Sequence, residues 1–516
     1  MKATDLPDYY NICSILEDNL EARADKTALI DDNGSMTFGE VARQVNQTGH
    51  ALKTLDVRFG ECVAILAPDC AEWVTTFFAI TKIGATALGM NTLLKSEDYD
   101  YILGDSRARV VVVHESLLPL LEPVRDQHAD TLKHVVVIGS PARTSDTTFA
   151  DWINKQPVEL APARTHRDDF CSLHYSSGTT GAPKGVLHAH KDYPLIAQLS
   201  GVDLFGIGEN DRTFSVAKLF FVYGIGANLI FPWYVGASCV LSSGPPRQVA
   251  GVLKAIQAHA PTVFVSVPTV YSAILALPKF HERYDVSSIR MCISAGEALP
   301  APVWESWKAA TGLEILDTIG CTESYHTFLA NRPGDIRPGS SGKPIGGYKV
   351  RLVDDDGNDV AQGEVGNLMV KGESIALFYL HQYEKSRHTF RGEWLFTGDR
   401  YYVDEDGFYW HAGRGDDMMK IGGLWVSPIE IENVLSTHPA VFECAVIGAR
   451  DKAELVKPKA FVCLKEGFDG SDALMLELLK TAAGGLEAHK RPRWIEFIAT
   501  LPRTATGKVQ RFRLYE

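Results

Sequence analysis

The sequence lacks several features that mark particular classes of protein. Its nine cysteines are scattered and include no Cys-x-x-Cys pair and no Cys/His cluster with the spacing of a zinc site. No uninterrupted apolar run is long enough to span a membrane, and no cationic-then-apolar leader opens the chain. The final residues, 513–516, match no recognised address. These absences predict a cytoplasmic protein without a structural zinc site or a membrane partner.

Positive charge is also scarce over most of the chain. The 51 Lys and Arg residues are outnumbered by 64 Asp and Glu residues, and the net charge of −13 disfavours a nucleic-acid partner. The stretch from Lys490 to Arg513 is an exception, because it contains seven basic residues and one acidic residue. Two interpretations remain open for it: a solvated basic tail or a surface that meets phosphates.

The pattern of apolar residues predicts the fold class. Short apolar runs at 62–67, 110–113 and 135–138 alternate with helical patterns, which favours an α/β fold with parallel sheets covered by helices. The spacing from Asn11 to Arg23 is helical. A second helix is expected from 37 to 51, because a Thr and a Glu three residues apart form a capping box at its start.

The chain is too long for one ordinary core, so two or more domains are expected. At about 336–412, short apolar runs between Asp/Gly turns predict an antiparallel, barrel-like element. From about Asp417 the pattern predicts a small α+β piece. The predicted division is a large N-terminal domain at 1–415, a hinge at Asp416, and a mobile C-terminal domain at 417–516.

One polar stretch has a composition suited to polyphosphate. It reads Tyr175-Ser176-Ser177-Gly178-Thr179-Thr180-Gly181-Ala182-Pro183-Lys184-Gly185-Val186. Its glycines let the backbone turn and approach a ligand, its hydroxyls can donate hydrogen bonds, and its lysine adds a positive charge. The order of residues differs from a Walker A loop, since the lysine lies between proline and glycine. Taken alone, the stretch is either a phosphate loop or a mobile linker.

Four further segments follow in a fixed order: Gly320-Cys321-Thr322-Glu323, Thr397-Gly398-Asp399, Gly413-Arg414-Gly415-Asp416-Asp417 and Pro502-Arg503-Thr504-Ala505-Thr506-Gly507-Lys508. Together with the polar stretch, they resemble the motifs of the adenylate-forming superfamily of acyl- and aryl-CoA ligases, adenylation domains and beetle luciferases. The resemblance implies two half-reactions. A carboxylate first attacks the α-phosphate of ATP, giving an acyl-adenylate and pyrophosphate. A thiol then attacks the adenylate carbonyl and releases AMP.

The resemblance also implies a role for each motif. The implied catalytic residues are Lys508, Thr322, Glu323 and Lys184, and Glu323 is also the implied Mg²⁺ ligand. The implied ATP/AMP site comprises Ser176, Ser177, Gly178, Thr179, Thr180, Gly181, Lys184, Gly296, Glu297, Asp317, Thr318, Ile319, Gly320, Thr322, Asp399, Arg414 and Lys508. Without the resemblance, Glu323 and Asp399 would be surface or turn residues, Arg414 an ion-pair residue and Lys508 part of a tail.

Within the superfamily, residues 218–224, 294–300 and 320–335 most resemble benzoate-CoA ligase and its aryl-acid relatives. The implied acyl pocket comprises Phe221, Val222, Tyr223, Gly224, Ala295, Gly320, Tyr325 and His326. The implied thioester step uses Phe221 as a gate, together with Lys420, Gly422, Gly423, Leu424 and Trp425, although the two glycines also fit an ordinary turn. One departure is Ile319, where many members carry an aromatic residue. His326 is either a core histidine or a pocket residue that hydrogen-bonds a ring substituent or water.

Three functions remain open from the sequence. The first is an aryl-CoA ligase for a small aromatic carboxylic acid of benzoate, aminobenzoate or hydroxybenzoate type, using ATP, Mg²⁺ and coenzyme A. The second is an adenylation protein that loads the phosphopantetheine arm of a carrier protein. The third is an inactive nucleotide- or acid-binding protein, which the full set of charged motif residues disfavours. A monomer and a homodimer are equally compatible with the sequence.

Overall fold

A computed structural model describes residues 1–176, 183–245, 248–421, 424–452, 454–503 and 509–515, without the side chains of 416, 424 and 425. The α/β class with parallel sheets and a separate small C-terminal domain is confirmed. The boundaries predicted for the domains and the hinge remain predictions.

One parallel sheet carries the polar stretch at its edge. Its apolar strands are hydrogen-bonded side by side and packed between helices, as continuous Val-rich runs predict. Only the last pair of strands runs antiparallel among the described residues. In spatial order the strands are Thr147–Thr148, His134–Ile138, Val110–His114, Cys62–Leu66, Thr86–Gly89, Phe170–Ser176 and Lys184–Ala189.

A second sheet is parallel in its centre and antiparallel at both edges. Ligands of open parallel sheets gather at the carboxyl ends of the strands, and three of the predicted segments leave this sheet at such ends. In spatial order its strands are Lys343–Pro344, Thr327–Ala330, Ile315–Gly320, Met291–Ser294, Val263–Ser266, Arg212–Ser215, Ser238–Val240, Thr27–Asp31 and Gly34–Thr37.

An antiparallel sheet follows in the chain, where the Asp/Gly turns predicted short strands. Its strands are Lys349–Val353, Gly366–Lys371, Trp394–Val403, Phe390–Arg391 and Tyr409–Arg414. The C-terminal part contains a hairpin of Met419–Ile421 and Leu424–Val426, and a separate sheet of Val441–Arg450, Val456–Leu464 and Trp494–Phe497. This part has its own buried apolar cluster, which includes Ile431, Val446 and Leu478.

Helices cover the sheets and connect their strands. The α-helices span Ser14–Glu17, Leu20–Arg23, Phe38–Thr54, Ala71–Lys82, Ser96–Ser106, Leu118–Leu121, Phe149–Ile153, Asp192–Ile196, Val222–Ile225, Phe231–Tyr234, Val249–His259, Pro268–Leu275, Phe280–Arg283, Ala301–Thr311, Tyr383–Thr389, Pro428–Leu435 and Asp472–Gly485. Wider π-helical turns occur at Ala197–Val202 and Gly226–Ile230. Among the described helices, none combines the length and the apolar character that crossing a membrane requires.

The two helix predictions had different outcomes. The capping box is confirmed, because Thr37 accepts from the Glu40 N–H while the Glu40 carboxylate accepts from the Thr37 N–H. The helical spacing from Asn11 to Arg23 corresponds to two short helices separated by a turn. The interruption falls at Asn19, a buried residue whose amide donates to the carbonyls of Ile15 and Trp233 and so ties the backbone to another element.

Candidate active site

The polar stretch joins the last two strands at one edge of the first sheet. Ser176 pairs with Lys184 in the antiparallel register of these strands, so the loop between them is a hairpin connection. The strands place the two ends of the loop side by side, with Lys184 at its exit. The predicted phosphate-binding residues Ser177, Gly178, Thr179, Thr180 and Gly181 lie outside the described residues.

Lys184 and Glu323 meet although they are far apart in sequence. The Lys184 Nζ lies 3.7 Å from the Glu323 Oε1, and both side chains are largely buried. The Tyr379 hydroxyl donates to the same oxygen at 2.6 Å, and its ring lies under the Lys184 ammonium at 5.0 Å. Burial raises the pKa of Glu323, but Lys184 and the Tyr379 hydrogen bond outweigh burial and lower it. The carboxylate is therefore kept ionised beside the phosphate loop.

Thr322 begins a short turn, Thr322–Ser324, directly after the strand Ile315–Gly320. The buried side chain of His188 contacts this turn. The His188 Nε2 lies 2.7 Å from the Thr322 carbonyl oxygen, and its Nδ1 lies 2.9 Å from the Asp192 carboxylate. Both ring nitrogens of His188 are therefore within hydrogen-bonding distance of a fixed oxygen, which holds the ring in one orientation. The structure thus links Thr322 to the strand that leaves the phosphate loop.

The residues predicted for the nucleoside lie on two adjacent elements. Gly296 has a φ of +91° in the turn after Met291–Ser294, a conformation that favours glycine. Asp317 is buried on the neighbouring strand, and burial raises its pKa to about 8, opposed by hydrogen bonds from Ser294 and from the Leu299 N–H. The Asp317 side chain therefore lies buried beside the strand that leads into the Gly296 turn.

Two of the predicted ATP/AMP residues, Asp399 and Arg414, lie opposite each other on two antiparallel strands. Asp399 lies opposite Arg414 in the register, and their charged groups are 3.4 Å apart. His411 also lies near Asp399, with its Nε2 3.7 Å from the carboxylate. The ion pair that the sequence left open for Arg414 is therefore present, and its partner is another predicted site residue.

The acyl-pocket residues gather around a wide helical turn. The Tyr223 hydroxyl donates to the Ser266 carbonyl oxygen at 3.0 Å, which fixes the ring at the ends of the central strands. His326 lies 5.7 Å from the Tyr223 ring, and its Nδ1 is 2.9 Å from the Thr327 hydroxyl. A Cβ on Gly226 would lie 2.5 Å from His326, so the π-helical turn requires glycine for this close approach. Burial lowers the pKa of His326 to about 4.

Tyr325 differs from the other predicted pocket residues. Its side chain is fully buried, and its ring packs 4.5 Å from Tyr193 and 5.1 Å from His188. These partners belong to the first sheet and its covering helix, whereas His326 packs on Tyr223. Tyr325 has a φ of +68° just before the strand Thr327–Ala330, and its ring packs on Tyr193 and His188, so the structure does not bring it together with Tyr223.

The C-terminal segment contacts one of the predicted ATP/AMP residues. The Arg503 guanidinium lies 3.3 Å from Glu297 and also pairs with Glu443. Lys508, five residues further along, lies outside the described residues. Lys420 pairs with Trp425 in the register of the C-terminal hairpin, and the predicted Gly422 and Gly423 between its strands also lie outside the description. The predicted gate Phe221 is half-buried and packs edge-to-face on Phe220.

Comparisons with known proteins agree with this arrangement. The family model of the AMP-binding enzyme matches residues 16–380, and the model of the AMP-binding enzyme C-terminal domain matches residues 430–508. The chain belongs to the AMP-binding enzyme family. The superfamily resemblance found in the sequence is therefore confirmed.

Individual members of the AMP-binding enzyme family are similar over nearly the whole chain. Benzoate–CoA ligase of Thauera aromatica is 45% identical and covers 99% of this chain and 97% of that protein. A solved structure of an anthranilate CoA ligase in complex with anthranoyl-AMP is 57% identical, with a TM-score of 0.97, covering 100% of this chain and 98% of that chain. The structure of a benzoate CoA ligase from Burkholderia xenovorans LB400 is 40% identical, with a TM-score of 0.91. The match covers 98% of this chain and 100% of that chain. The resemblance to aryl-CoA ligases is confirmed.

Sequence reasoning did not single out every residue at this AMP-binding site. His188 and Tyr379 are buried and contact the motif residues Thr322 and Glu323 directly, and the buried Asp192 carboxylate contacts His188. The four-residue spacing of His188 and Asp192 indicated only weakly that their side chains are hydrogen-bonded. Tyr379 gave no signal, because its partner is 56 residues away in the chain.

Proposed function

We propose that this chain is an ATP-dependent, AMP-forming aryl-CoA ligase for a small aromatic carboxylate of benzoate or 2-aminobenzoate type. The observation that carries the proposal is the full-length similarity to an anthranilate CoA ligase solved with its adenylate, joined to an intact set of charged motif residues. An inactive binding protein would not need Lys184, Glu323, Asp399, Arg414 and Lys508 together.

The first half-reaction joins the carboxylate to the α-phosphate of ATP and releases pyrophosphate. Lys184, at the exit of the phosphate loop, would bind phosphate oxygens and stabilise the charge that develops there. Thr322 would contact the α-phosphate from its turn, and Lys508 would bridge carboxylate and phosphate oxygens. Asp399 would accept hydrogen bonds from the ribose hydroxyls, while Arg414 holds that carboxylate in place.

The residues present also fit a magnesium ion. Mg²⁺ prefers hard oxygen ligands and commonly takes one or two carboxylates together with substrate phosphates. Glu323 supplies an ionised carboxylate next to the phosphate loop, and in the described residues its hydrogen bond and ion pair both use Oε1. A magnesium ion held there would neutralise phosphate charge during adenylation.

The second half-reaction transfers the aryl group to the thiol of coenzyme A and releases AMP. We propose that Gly422 and Gly423 line the pantetheine arm, with Lys420 and Trp425 beside it and Phe221 between the acyl site and the thiol. The preference for free coenzyme A over a carrier protein rests on the similarity to CoA ligases and on the basic stretch 490–513.

We propose that the acyl pocket binds a small aromatic ring. Tyr223 offers a flat face held by its hydrogen bond to the second sheet, and the small residue Ala295 follows a neighbouring strand, Met291–Ser294. Gly320 allows a close approach to the turn that carries His326, because a Cβ there would overlap the His326 carbonyl oxygen. His326 adds a polar edge and is neutral at pH 7, because burial keeps its pKa near 4. Both His326 nitrogens have protein partners, the Thr327 hydroxyl and the Tyr223 carbonyl, so His326 does not by itself select a substituted ring over benzoate.

The direct test is AMP formation from ATP and Mg²⁺ with a panel of acids, with and without coenzyme A. We expect turnover that requires coenzyme A and the highest kcat/KM with benzoate or 2-aminobenzoate, ahead of 4-hydroxybenzoate and a C6–C10 fatty acid. A preference for the fatty acid would refute the aryl assignment. Turnover with a carrier protein but none with coenzyme A would favour the carrier-loading function instead.

A pocket variant extends this test. Tyr223→Ala removes the ring that faces the substrate, so kcat/KM for the preferred aryl acid should fall about 10- to 100-fold while the fatty acid is affected less. Tyr9→Ala, which makes the same change at an exposed tyrosine, serves as the matched control and should leave both values unchanged. Equal losses for both acids in Tyr223→Ala would argue against its place in the pocket.

A further inference from the structure

The segment 376–386 crosses the base of the phosphate loop and is hereafter called the anchoring segment. It holds the strand that leaves the loop at several points. The Leu380 N–H donates to the Gly185 carbonyl at 2.8 Å, and Tyr379 forms an antiparallel bridge with Val186. The Gln382 amide donates to the Pro183 carbonyl at 3.2 Å. The exit of the phosphate loop is therefore fixed to the anchoring segment by backbone contacts.

The same segment reaches the entrance of the loop. His381 lies 3.0 Å from one oxygen of Asp105, and the Tyr175 hydroxyl donates to the other oxygen at 2.6 Å. Tyr175 immediately precedes Ser176, where the described part of the loop ends. His381 itself has a φ of +53°, a left-handed backbone conformation that a non-glycine residue adopts only when its surroundings enforce it.

The anchoring segment also holds Glu323 by its backbone and its side chain. The Ala376 N–H donates to the Glu323 carbonyl at 2.8 Å, and the Tyr379 hydroxyl donates to the Glu323 carboxylate at 2.6 Å. Tyr379 is 2% exposed, and its N–H is fixed in turn by the Ser386 hydroxyl at 2.9 Å. Tyr379 thus contacts both residues of the ion pair, Lys184 through its ring and Glu323 through its hydroxyl.

We propose that Tyr379 is a positioning residue, which orients the Glu323 carboxylate toward the metal-bound phosphates of ATP while the rest of the anchoring segment fixes the loop that binds those phosphates. The proposal rests on the proposed function only for the identity of the nucleotide. Its physical basis is that a hydrogen bond from a buried hydroxyl to a carboxylate fixes one oxygen and leaves the other directed at a cation.

Tyr379→Phe tests the proposal, because it removes the hydroxyl but keeps the ring that packs under Lys184. The measurement is calorimetric binding of α,β-methylene-ATP, once with saturating Mg²⁺ and once with EDTA. We expect affinity to fall about tenfold with Mg²⁺ and to stay within twofold of wild type with EDTA. Gln382→Ala, which loosens the loop rather than Glu323, should weaken binding by similar factors under both conditions.

The matched control is Tyr99→Phe, which removes another buried tyrosine hydroxyl, one that donates to the Asn91 carbonyl and not to Glu323. It should not alter the effect of Mg²⁺. The proposal is overturned if Tyr379→Phe shows the wild-type dependence on Mg²⁺, or if it loses affinity equally in EDTA. Because nucleotide binding needs no aromatic acid, failure of the aryl-CoA ligase assignment would leave this result interpretable.

Discussion

At the scale of single residues, His188 shows how a buried side chain supports a motif it does not belong to. It is fully buried and lies within hydrogen-bonding distance of the Asp192 carboxylate and of the Thr322 carbonyl, which is 134 residues away in the chain. The Asp192 carboxylate also accepts from the Ala189 N–H, so the histidine is held by a fixed group. The position of Thr322 therefore depends on a buried imidazole that contacts both groups.

We expect His188→Asn to slow adenylate formation about tenfold, because a shorter side chain cannot contact both the Thr322 carbonyl and the Asp192 carboxylate and so loosens the turn that carries Thr322. Thioester formation from a supplied aryl-adenylate should change much less, since the phosphates are no longer being transferred. Single-turnover rates of the two half-reactions give the answer. An equal slowing of both steps would show that His188 contributes only to overall stability.

Residue-level prediction succeeded where a local motif carried the information. The motifs predicted that Lys184 and Glu323 belong to one site and that Asp399 and Arg414 both belong to the ATP/AMP site. In the structure the members of each pair are in contact. It did not anticipate the direction of the Tyr325 ring. That direction depends on the positive φ of Tyr325 and on space between Tyr193 and His188, which only the packing of two elements defines.

At the scale of elements, the C-terminal hairpin and the C-terminal loop are expected to serve different half-reactions. Both belong to the C-terminal part of the chain, in which Lys420 and Lys508 lie far apart in sequence. Arg503, which precedes the loop that contains Lys508, is paired with Glu297 at the nucleoside side of the site. We therefore expect the Lys508 loop to serve the adenylation step and the hairpin to serve the thioester step.

Two variants should therefore have opposite effects. Lys508→Ala should slow adenylation about 10²–10³-fold by removing an electrostatic contact, and it should leave thioester formation from supplied adenylate largely intact. Gly423→Leu should obstruct the thioester step while ATP–pyrophosphate exchange continues. Gly484→Leu is the matched control, because a side chain there meets open space on the same C-terminal part. If each variant slowed both steps equally, the division between hairpin and loop would be refuted.

Element prediction depended on how local the stabilising interactions are. The capping box of Thr37 and Glu40 and the Val-rich strand Val110–His114 were predictable, because adjacent residues determine both. The hairpin that carries the phosphate loop was not predicted as a strand pair. Its strands, Phe170–Ser176 and Lys184–Ala189, owe their pairing to the sheet edge on which they lie.

At the scale of the whole molecule, buried histidines make stability depend on pH. Burial lowers the pKa values of His174 and His190 to about 3 and that of His326 to about 4. The unfolded chain binds protons at these positions below about pH 6.5, whereas the folded protein does not until the pH is much lower. Their effect is therefore that stability falls as the pH drops from 6.5 toward 4.

We expect His190→Asn to reduce this acid sensitivity by about 2 kcal/mol between pH 7 and pH 5, which thermal or urea unfolding at several pH values can measure. An asparagine can still accept from the Ile12 N–H, as the His190 Nδ1 does. Burial raises the pKa values of Asp317 to about 8 and Asp69 to about 6, and these groups act in the opposite direction. The quantity to compare is therefore the difference in the free energy of unfolding between variant and wild type at each pH.

His281→Asn provides the control for this experiment, because His281 is exposed and its substitution should leave the pH dependence unchanged. If His190→Asn retained the full wild-type dependence on pH, the buried neutral state inferred for His190 would be wrong.

The sequence by itself determined the family, the order of the motifs and the chemistry of the residues within them, because these reside in short stretches whose residue types have few alternative uses. Only the tertiary structure decided which buried groups hold those motifs in place. The contacts of Tyr379 with Glu323 and of His188 with Thr322 join residues 56 and 134 positions apart. Such pairs leave no local pattern, since they form only when two sheets, their helices and the anchoring segment are packed together.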